Sequence, residues 1–137
     1  MECPFCSPNL DVETVILENA LCLFVQEPHT VLVGSGMIIP RAHRETVFDL
    51  TAEEWQATLE LLQQVKVLLD GQYHPDGYNI GWNCGQVAGQ EVFHAHLHVI
   101  PRYEGDGLKL FPQGSYRPGD MEKTGEQLRR FLEKVER

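Results

Sequence analysis

Residues 94–102 read His-Ala-His-Leu-His-Val-Ile-Pro-Arg, so half of the six histidines of this 137-residue chain fall within five positions. Successive side chains of a β-strand point to opposite faces, and same-face neighbours stand roughly 6.5–7 Å apart along it. An extended reading of this segment lines His94, His96 and His98 along one face and Ala95, Leu97 and Val99 along the other. Imidazole donates, accepts or attacks near neutral pH. Three in a row suit nucleophilic and acid–base work. The same pattern also suits metal ligation, or ordinary strand residues whose ring nitrogens are satisfied by neighbouring carbonyls.

A second constellation opens the chain, where Cys3-Pro4-Phe5-Cys6 is a C-x-x-C pair. Thiolates at this spacing suit one tetrahedral zinc, which needs two further ligands. A redox pair or two unbonded thiols are the other readings of such a motif. Cys22 and Cys84 read as ordinary strand or loop thiols, and His29 and His74, beside prolines, as exposed loop residues.

The elements that must position these groups follow from the pattern between them. Residues 12–18 and 20–26 read as short strands joined at Asn19, and 36–40 (GMIIP) as a third strand stopped by Pro40. A helix is expected over about 51–70. Thr51 and Glu54 form its capping box, Gly71 its stop, and Trp55, Leu59, Leu62, Val65 and Leu69 its apolar stripe. Residues 77–83 make a fourth strand, 84–90 a glycine-containing loop, and the histidine segment the fifth strand. A surface loop over 103–119 leads to a terminal helix at 120–135, with Met121, Leu128, Phe131, Leu132 and Val135 expected to face inward. Antiparallel strands with one long inserted helix imply an α+β fold. No internal repeat or low-complexity linker interrupts a length that fits one domain, residues 1–137.

Composition narrows the classes. Forty-two per cent hydrophobic and 23% charged residues describe an ordinary globular chain. A net charge of −9 argues against nucleic acid or an acidic membrane as partner, while a local phosphate site can still be built from backbone N–H groups and imidazoles. No apolar run reaches transmembrane length, and the first residues lack the basic region and apolar stretch of a secretory signal. The expectation is a cytoplasmic protein whose cysteines are free thiols or metal ligands rather than disulfides.

Taken together, three ordered segments resemble the histidine triad (HIT) family of nucleotide hydrolases and transferases. "HAHLHVIPR" resembles its catalytic strand, "NCGQVAGQEVF" its phosphate loop, and "MIIPRAHRETVFDLTAEEW" the stretch between its central strand and long helix; "CPFC" is similar to the N-terminal pair of zinc-containing bacterial-type members. The resemblance covers about residues 3–105. It implies a five-stranded antiparallel sheet with a long inserted helix and a C-terminal helix, pairing into a two-fold homodimer.

The resemblance also assigns roles. His94, His96 and His98 form the catalytic group, with His96 the nucleophile that becomes nucleotidylated and His98 a donor to phosphate or leaving atom. Asn83 and the backbone of Gly89, Glu91 and Val92 would hold phosphate. Glu27 would hold the ribose hydroxyls and Phe5 with Val25 flank the base; otherwise Glu27 is a solvated strand-end charge and the two apolar residues are core. Structural zinc would be held by Cys3, Cys6, His43 and His94.

Two departures stand out. Ser35 occupies a position where many members carry a further histidine, and Glu91 one that is often Ser or Thr. The implied reaction is attack at the α-phosphorus of a nucleotide substrate such as a phosphoramidate or dinucleoside polyphosphate. The rival readings are a nucleotide-binding regulatory protein with little turnover, and a metal enzyme that uses all three histidines as ligands.

Overall fold

The computed structural model describes residues 3–6, 9–26, 32–109 and 120–135, with side chains of the last helix given from residue 125. The chain divides into two units, Met1–Asp106 and Gly107–Arg137. The first unit holds five strands, β1 (Val15–Glu18), β2 (Cys22–Gln26), β3 (Gly36–Pro40), β4 (Gly77–Trp82) and β5 (Leu97–Arg102), with helix α1 (Ala52–Tyr73) between β3 and β4. All pairs are antiparallel and the spatial order is β1-β2-β3-β5-β4. The α+β sheet expected from the sequence is therefore present. Its last strand in sequence is an inner strand in space, so the segment that follows the histidines is hydrogen-bonded on both sides.

Both faces of the inner strands are covered. Cys22, Phe24, Ile38, Leu97 and Val99 pack on Ala57, Leu61, Val65 and Leu69 of α1. On the opposite face Leu23, Val25, Met37 and Ile39 are covered by Phe5, Leu10 and Val15. This two-sided burial is why β2 and β3 read as continuous apolar runs instead of alternating ones. Leu61 and Val65 are wholly buried, each contributing about 1.5–3 kcal/mol of apolar transfer. Register fixes the functional face: Leu97 pairs with Ile38 and His98 with Met37, so His98 looks away from α1.

Several boundaries differ from the sequence expectation. Residues Val12–Thr14 form a 3-10 turn capped by the Asp11 carboxylate, so β1 starts at Val15. Asn19 does make the turn to β2, its Oδ1 accepting from the N–H groups of Leu21 and Cys22. Helix α1 runs through Gly71, where a helical glycine costs only about 1 kcal/mol. It ends at His74, which takes the left-handed conformation (φ 51°) before Pro75. Strand β5 starts at Leu97, not at His94.

The inward face of α1 also differs. Val65 and Leu69 face the sheet as expected and Leu62 is partly buried, but Trp55 and Leu59 are each 49% exposed. The buried line is Glu54, Ala57, Thr58, Leu61, Val65 and Leu69. Helix α1 carries two apolar stripes, and its inner one is built partly from small and polar residues that hydrophobicity undercounts. In the second unit, α2 (Asp120–Val135) is the expected terminal helix, yet Leu128, Phe131, Leu132 and Val135 are all more than half exposed. Spacing alone marks an apolar stripe without saying what covers it. The side chain of Met121 lies outside the described residues, as do residues 110–119 of the expected loop.

The N-terminus of α1 is tied to the histidine segment. Thr51 and Glu54 form the expected reciprocal capping box (Thr51 N–H to Glu54 Oε1 2.8 Å, Glu54 N–H to Thr51 Oγ1 3.1 Å). Arg44 Nε donates to both carboxylate oxygens of Glu54, at 2.9 and 3.2 Å, while the Arg44 carbonyl accepts from Ala95 N–H at 2.6 Å. Burial raises the Glu54 carboxyl, but the bonds from Thr51 and Arg44 outweigh it and hold the group below its ordinary value. A depressed folded pKa contributes stability that is complete above the unfolded value and is lost as pH falls through the folded one. Glu54→Gln should therefore cost about 2 kcal/mol at pH 7 in urea denaturation. The gap from wild type should close below about pH 4; a gap independent of pH would contradict the charged role.

Candidate active site and metal centre

The segment His94–His96 is the approach to β5, and its bonds settle the state of each ring. His94 is fully buried. Its Nε2 lies 2.7 Å from the Pro40 carbonyl oxygen, which only accepts, so Nε2 carries the proton and Nδ1 the lone pair. Burial holds the imidazole below its ordinary pKa, outweighing the bond to Pro40. By the same logic His96 Nδ1 donates to the His94 carbonyl at 2.8 Å, which makes Nε2 the basic nitrogen of that ring. His96 is 8% exposed, its centroid 4.8 Å from that of the partly exposed His98 and 5.2 Å from that of Phe5.

The lone pair of His94 points to the N-terminal thiols. Its Nδ1 lies 3.3 Å from Cys3 Sγ and 3.4 Å from Cys6 Sγ, and His43 Nδ1 lies 3.2 Å from Cys6 Sγ. The four donor atoms of Cys3, Cys6, His43 and His94 all fall within 4.8 Å of one another. Tetrahedral zinc with ordinary Zn–S and Zn–N bonds sets its ligand atoms roughly 3.3–3.8 Å apart, so the donor set and its spacing fit that ion. The Nε2–H bond to Pro40 is the outer contact that fixes the tautomer of a ligating histidine. Its neighbour Cys3, together with burial, pushes the Cys6 thiol upward, so a bound cation is what would make it a thiolate. The four residues singled out from the sequence are thus brought together, and none of the four cysteines forms a disulfide.

The loop after β4 is closed by side-chain amides. Asn83 Nδ2 donates to the Ala88 carbonyl at 2.7 Å, spanning a 3-10 turn at Gln86–Ala88. Gly89 has φ +95°, and a Cβ there would stand 3.3 Å from Asn83 Nδ2. Gln90, only 2% exposed, accepts from Gly85 N–H at 2.8 Å and donates to the carbonyls of Glu45 (2.7 Å) and Val92 (3.1 Å). Sequence reasoning missed Gln90: an uncharged amide in a polar loop carries neither periodicity nor titratable chemistry. It staples the loop to the segment leading into α1. Glu91 is exposed and Val92 half-buried.

On the nucleoside side, Val25 is buried in the core on the face opposite α1, and Phe5 packs against that core. Glu27 lies outside the described residues. Ser35 is 1% exposed, and its hydroxyl has no hydrogen-bond partner among the described residues. Among the described residues it therefore makes no bond to an imidazole. A buried unsatisfied hydroxyl costs about 1–3 kcal/mol.

Comparison with known proteins agrees with this geometry. A family model described as "HIT domain" matches residues 11–105. The chain is 31% identical over 106 residues to "Protein hit" of Bacillus subtilis, covering 74% of this chain and 73% of that one. It is 30% identical over 132 residues to "Adenosine 5'-monophosphoramidase hnt1" of Schizosaccharomyces pombe, covering 93% and 96%. Among solved structures, a HIT family member from Bacillus subtilis superposes with a TM-score of 0.78 at 27% identity, covering 95% and 96% of the two chains. A zinc-bound histidine triad family protein from Mycobacterium smegmatis superposes with a TM-score of 0.68 at 30% identity, covering 95% and 90%. Among the described residues, no helix is long and apolar enough to cross a membrane.

The cluster should take up one zinc ion per chain, measured by elemental analysis, and Cys6→Ser should abolish uptake. Zinc at a thousandfold excess over its dissociation constant should add about 4 kcal/mol to stability. Full stoichiometry in the Cys6→Ser protein would remove that thiol from the ligand set.

Proposed function

The chain belongs to the HIT domain family, and from that premise we propose that it is a nucleotide hydrolase or nucleotidyl transferase working through a covalent nucleotidyl-histidine. The observation that carries this reading is the hydrogen bond from His96 Nδ1 to the His94 carbonyl. It puts the lone pair of the neutral ring on Nε2, the form an attack on phosphorus requires. Nε2 attacks the α-phosphorus, forming a P–N bond as the bond to the leaving nitrogen or oxygen breaks. His98, beside it, supplies a hydrogen bond and proton to the leaving atom. Water or another acceptor then attacks phosphorus, passes its proton to His98 and breaks the P–N bond, so both imidazoles regain their starting states. Asn83 and the backbone from Gly89 to Val92 hold the phosphate, and Glu27 the ribose hydroxyls. The relative named as an adenosine monophosphoramidase supports a phosphoramidate of adenosine as first substrate to try.

His94 serves in this scheme through its carbonyl and its ring donor, not as a group that touches substrate. Cys3, Cys6, His43 and His94 would hold zinc, which would supply a structural cross-link, because four protein ligands leave no position open for catalysis.

A second copy of the chain is the proposed partner. Strand β4 is an edge of the sheet, and next to it Trp55, Leu59 and Leu62 of α1 line an apolar cleft with Ile80 and Trp82. An open edge beside exposed apolar surface is what a symmetric two-fold contact covers. The binding-only alternative draws support from Ser35, whose hydroxyl makes no bond to the triad. Calorimetry with adenosine monophosphate beside a turnover assay separates the two.

Alkaline quench of the reaction with a phosphorus-labelled adenosine phosphoramidate should trap label on His96. His96→Ala should lose both label and turnover, and His98→Ala should slow turnover about 10²–10⁴-fold. Unchanged turnover in His96→Ala would defeat the assignment. Leu59→Glu should halve the sedimenting mass if the cleft is the two-fold contact; an unchanged mass would place any dimer elsewhere.

A further inference from the structure

We propose that Phe5 is a positioning residue for His96, and that metal bound by Cys3, Cys6, His43 and His94 controls it. Bound metal seats the Phe5 ring against the His96 imidazole, and its loss loosens both. The functional meaning of this coupling rests on His96 being the nucleophile; the coupling itself rests on geometry.

Phe5 sits between the two thiols in a tight turn in which Cys6 N–H donates to the Cys3 carbonyl at 3.3 Å. Its ring meets His96 edge-on, with centroids 5.2 Å apart and planes at 78°, and meets His94 at 6.2 Å and 75°. The other hydrogen bonds among the described residues of this N-terminal hook close it on itself. Asn9 Nδ2 donates to the Cys3 carbonyl at 2.9 Å, and the N–H groups of Asn9 and Leu10 donate to the Cys6 carbonyl at 2.7 and 3.2 Å. The hook is fastened to the sheet by the thiol–imidazole contacts and by the packing of Phe5 and Leu10 on Leu23, Val25, Met37 and Ile39. A thiol is a weak donor and a weak acceptor. Metal turns those weak contacts into coordination bonds, so its presence decides how firmly Phe5 is held.

Two of the contacts on His96 lead to the proposed metal site. One is the bond from Nδ1 to the carbonyl of His94, itself a ligand. The other is the aromatic wall contributed by the residue between the two thiol ligands. A nucleophile must hold its lone pair in line with the phosphorus, and a misplacement of about 1 Å costs about 10²-fold in rate. Loss of the wall lets the ring tilt. The effect falls on the chemical step and spares ground-state binding.

The test uses histidine labelled with ¹⁵N in the full chain, wild type and Phe5 variants, with adenosine 5'-monophosphoramidate as the probe of turnover. Zinc-loaded wild type should show one His96 tautomer with the proton on Nδ1 and slow exchange of that proton. Phe5→Ala that still holds its zinc should show faster exchange or averaged ring nitrogens. Its kcat should fall about 10–100-fold while KM stays within about twofold. Phe5→Tyr should restore the ring signature and the rate, and Phe5→Leu serves if the alanine variant loses metal. Chelation of wild type should reproduce the ring signals of Phe5→Ala. The proposal is overturned if those signals do not move on chelation, or if the variants raise KM with kcat intact, which would make Phe5 a contact for the base alone. The ring signals are read without turnover. A lack of adduct on His96 would therefore count against the nucleophile and leave the coupling result standing.

Discussion

One buried imidazole organises the site. His94 engages the Pro40 carbonyl with one ring nitrogen, faces two thiols with the other, and receives the His96 ring on its own carbonyl. Three parts of the chain distant in sequence meet at this residue: the N-terminal hook, the end of β3 and the approach to β5. Removing water from such a group is tolerable only because every polar atom has a use. Its neutral state also follows from burial, which disfavours imidazolium, and a neutral ring is what a cation-binding nitrogen has to be.

The rest of the sheet keeps this residue in place. Arg44 clamps the backbone at Ala95 while its guanidinium engages Glu54 at the start of α1, so the helix and the histidine segment share one anchor. At the far end of β5, Arg102 grips the Asp106 carboxylate through two nitrogens, at 2.8 and 2.6 Å. The arginine after the Val-Ile-Pro run is therefore a structural clamp. Between those anchors, β5 leaves little freedom for the rings it carries or follows.

Much of this was legible in the residues. The capping box at Thr51 and Glu54 is local chemistry and appears as read. The C-x-x-C pair and the two histidines converge, as a donor set suited to metal must, because such a set needs specific atoms at specific spacing. The resemblance supplied which histidines join the thiols; spacing by itself left a redox pair open. Other features resisted reading. Periodicity on α1 selected Trp55 and Leu59, the larger residues, whereas the sheet is covered by a line that includes Ala57 and Thr58. The alternation at residues 94–98 suggested one continuous strand, but the Arg44 carbonyl and the cluster of Cys3, Cys6 and His43, all distant in sequence, shape the first three residues instead. Gln90 was invisible for a similar reason: its value lies in partners at Gly85, Glu45 and Val92 that only the folded loop supplies.

The placement of β5 between β3 and β4 carries a consequence for how the molecule comes into being. During synthesis, β3 and β4 exist before the strand that joins them, each with a row of unsatisfied amides and carbonyls. Neither can complete its ladder until residue 102 has left the ribosome, although β1, β2 and β3 can pair before then. The nascent chain thus spends its early life with a gap in its middle, a vulnerability to mispairing with neighbouring polypeptides. Closure of that gap and creation of the histidine constellation are a single event. A molecule that has not finished folding therefore has not yet brought His94, His96 and His98 into one place.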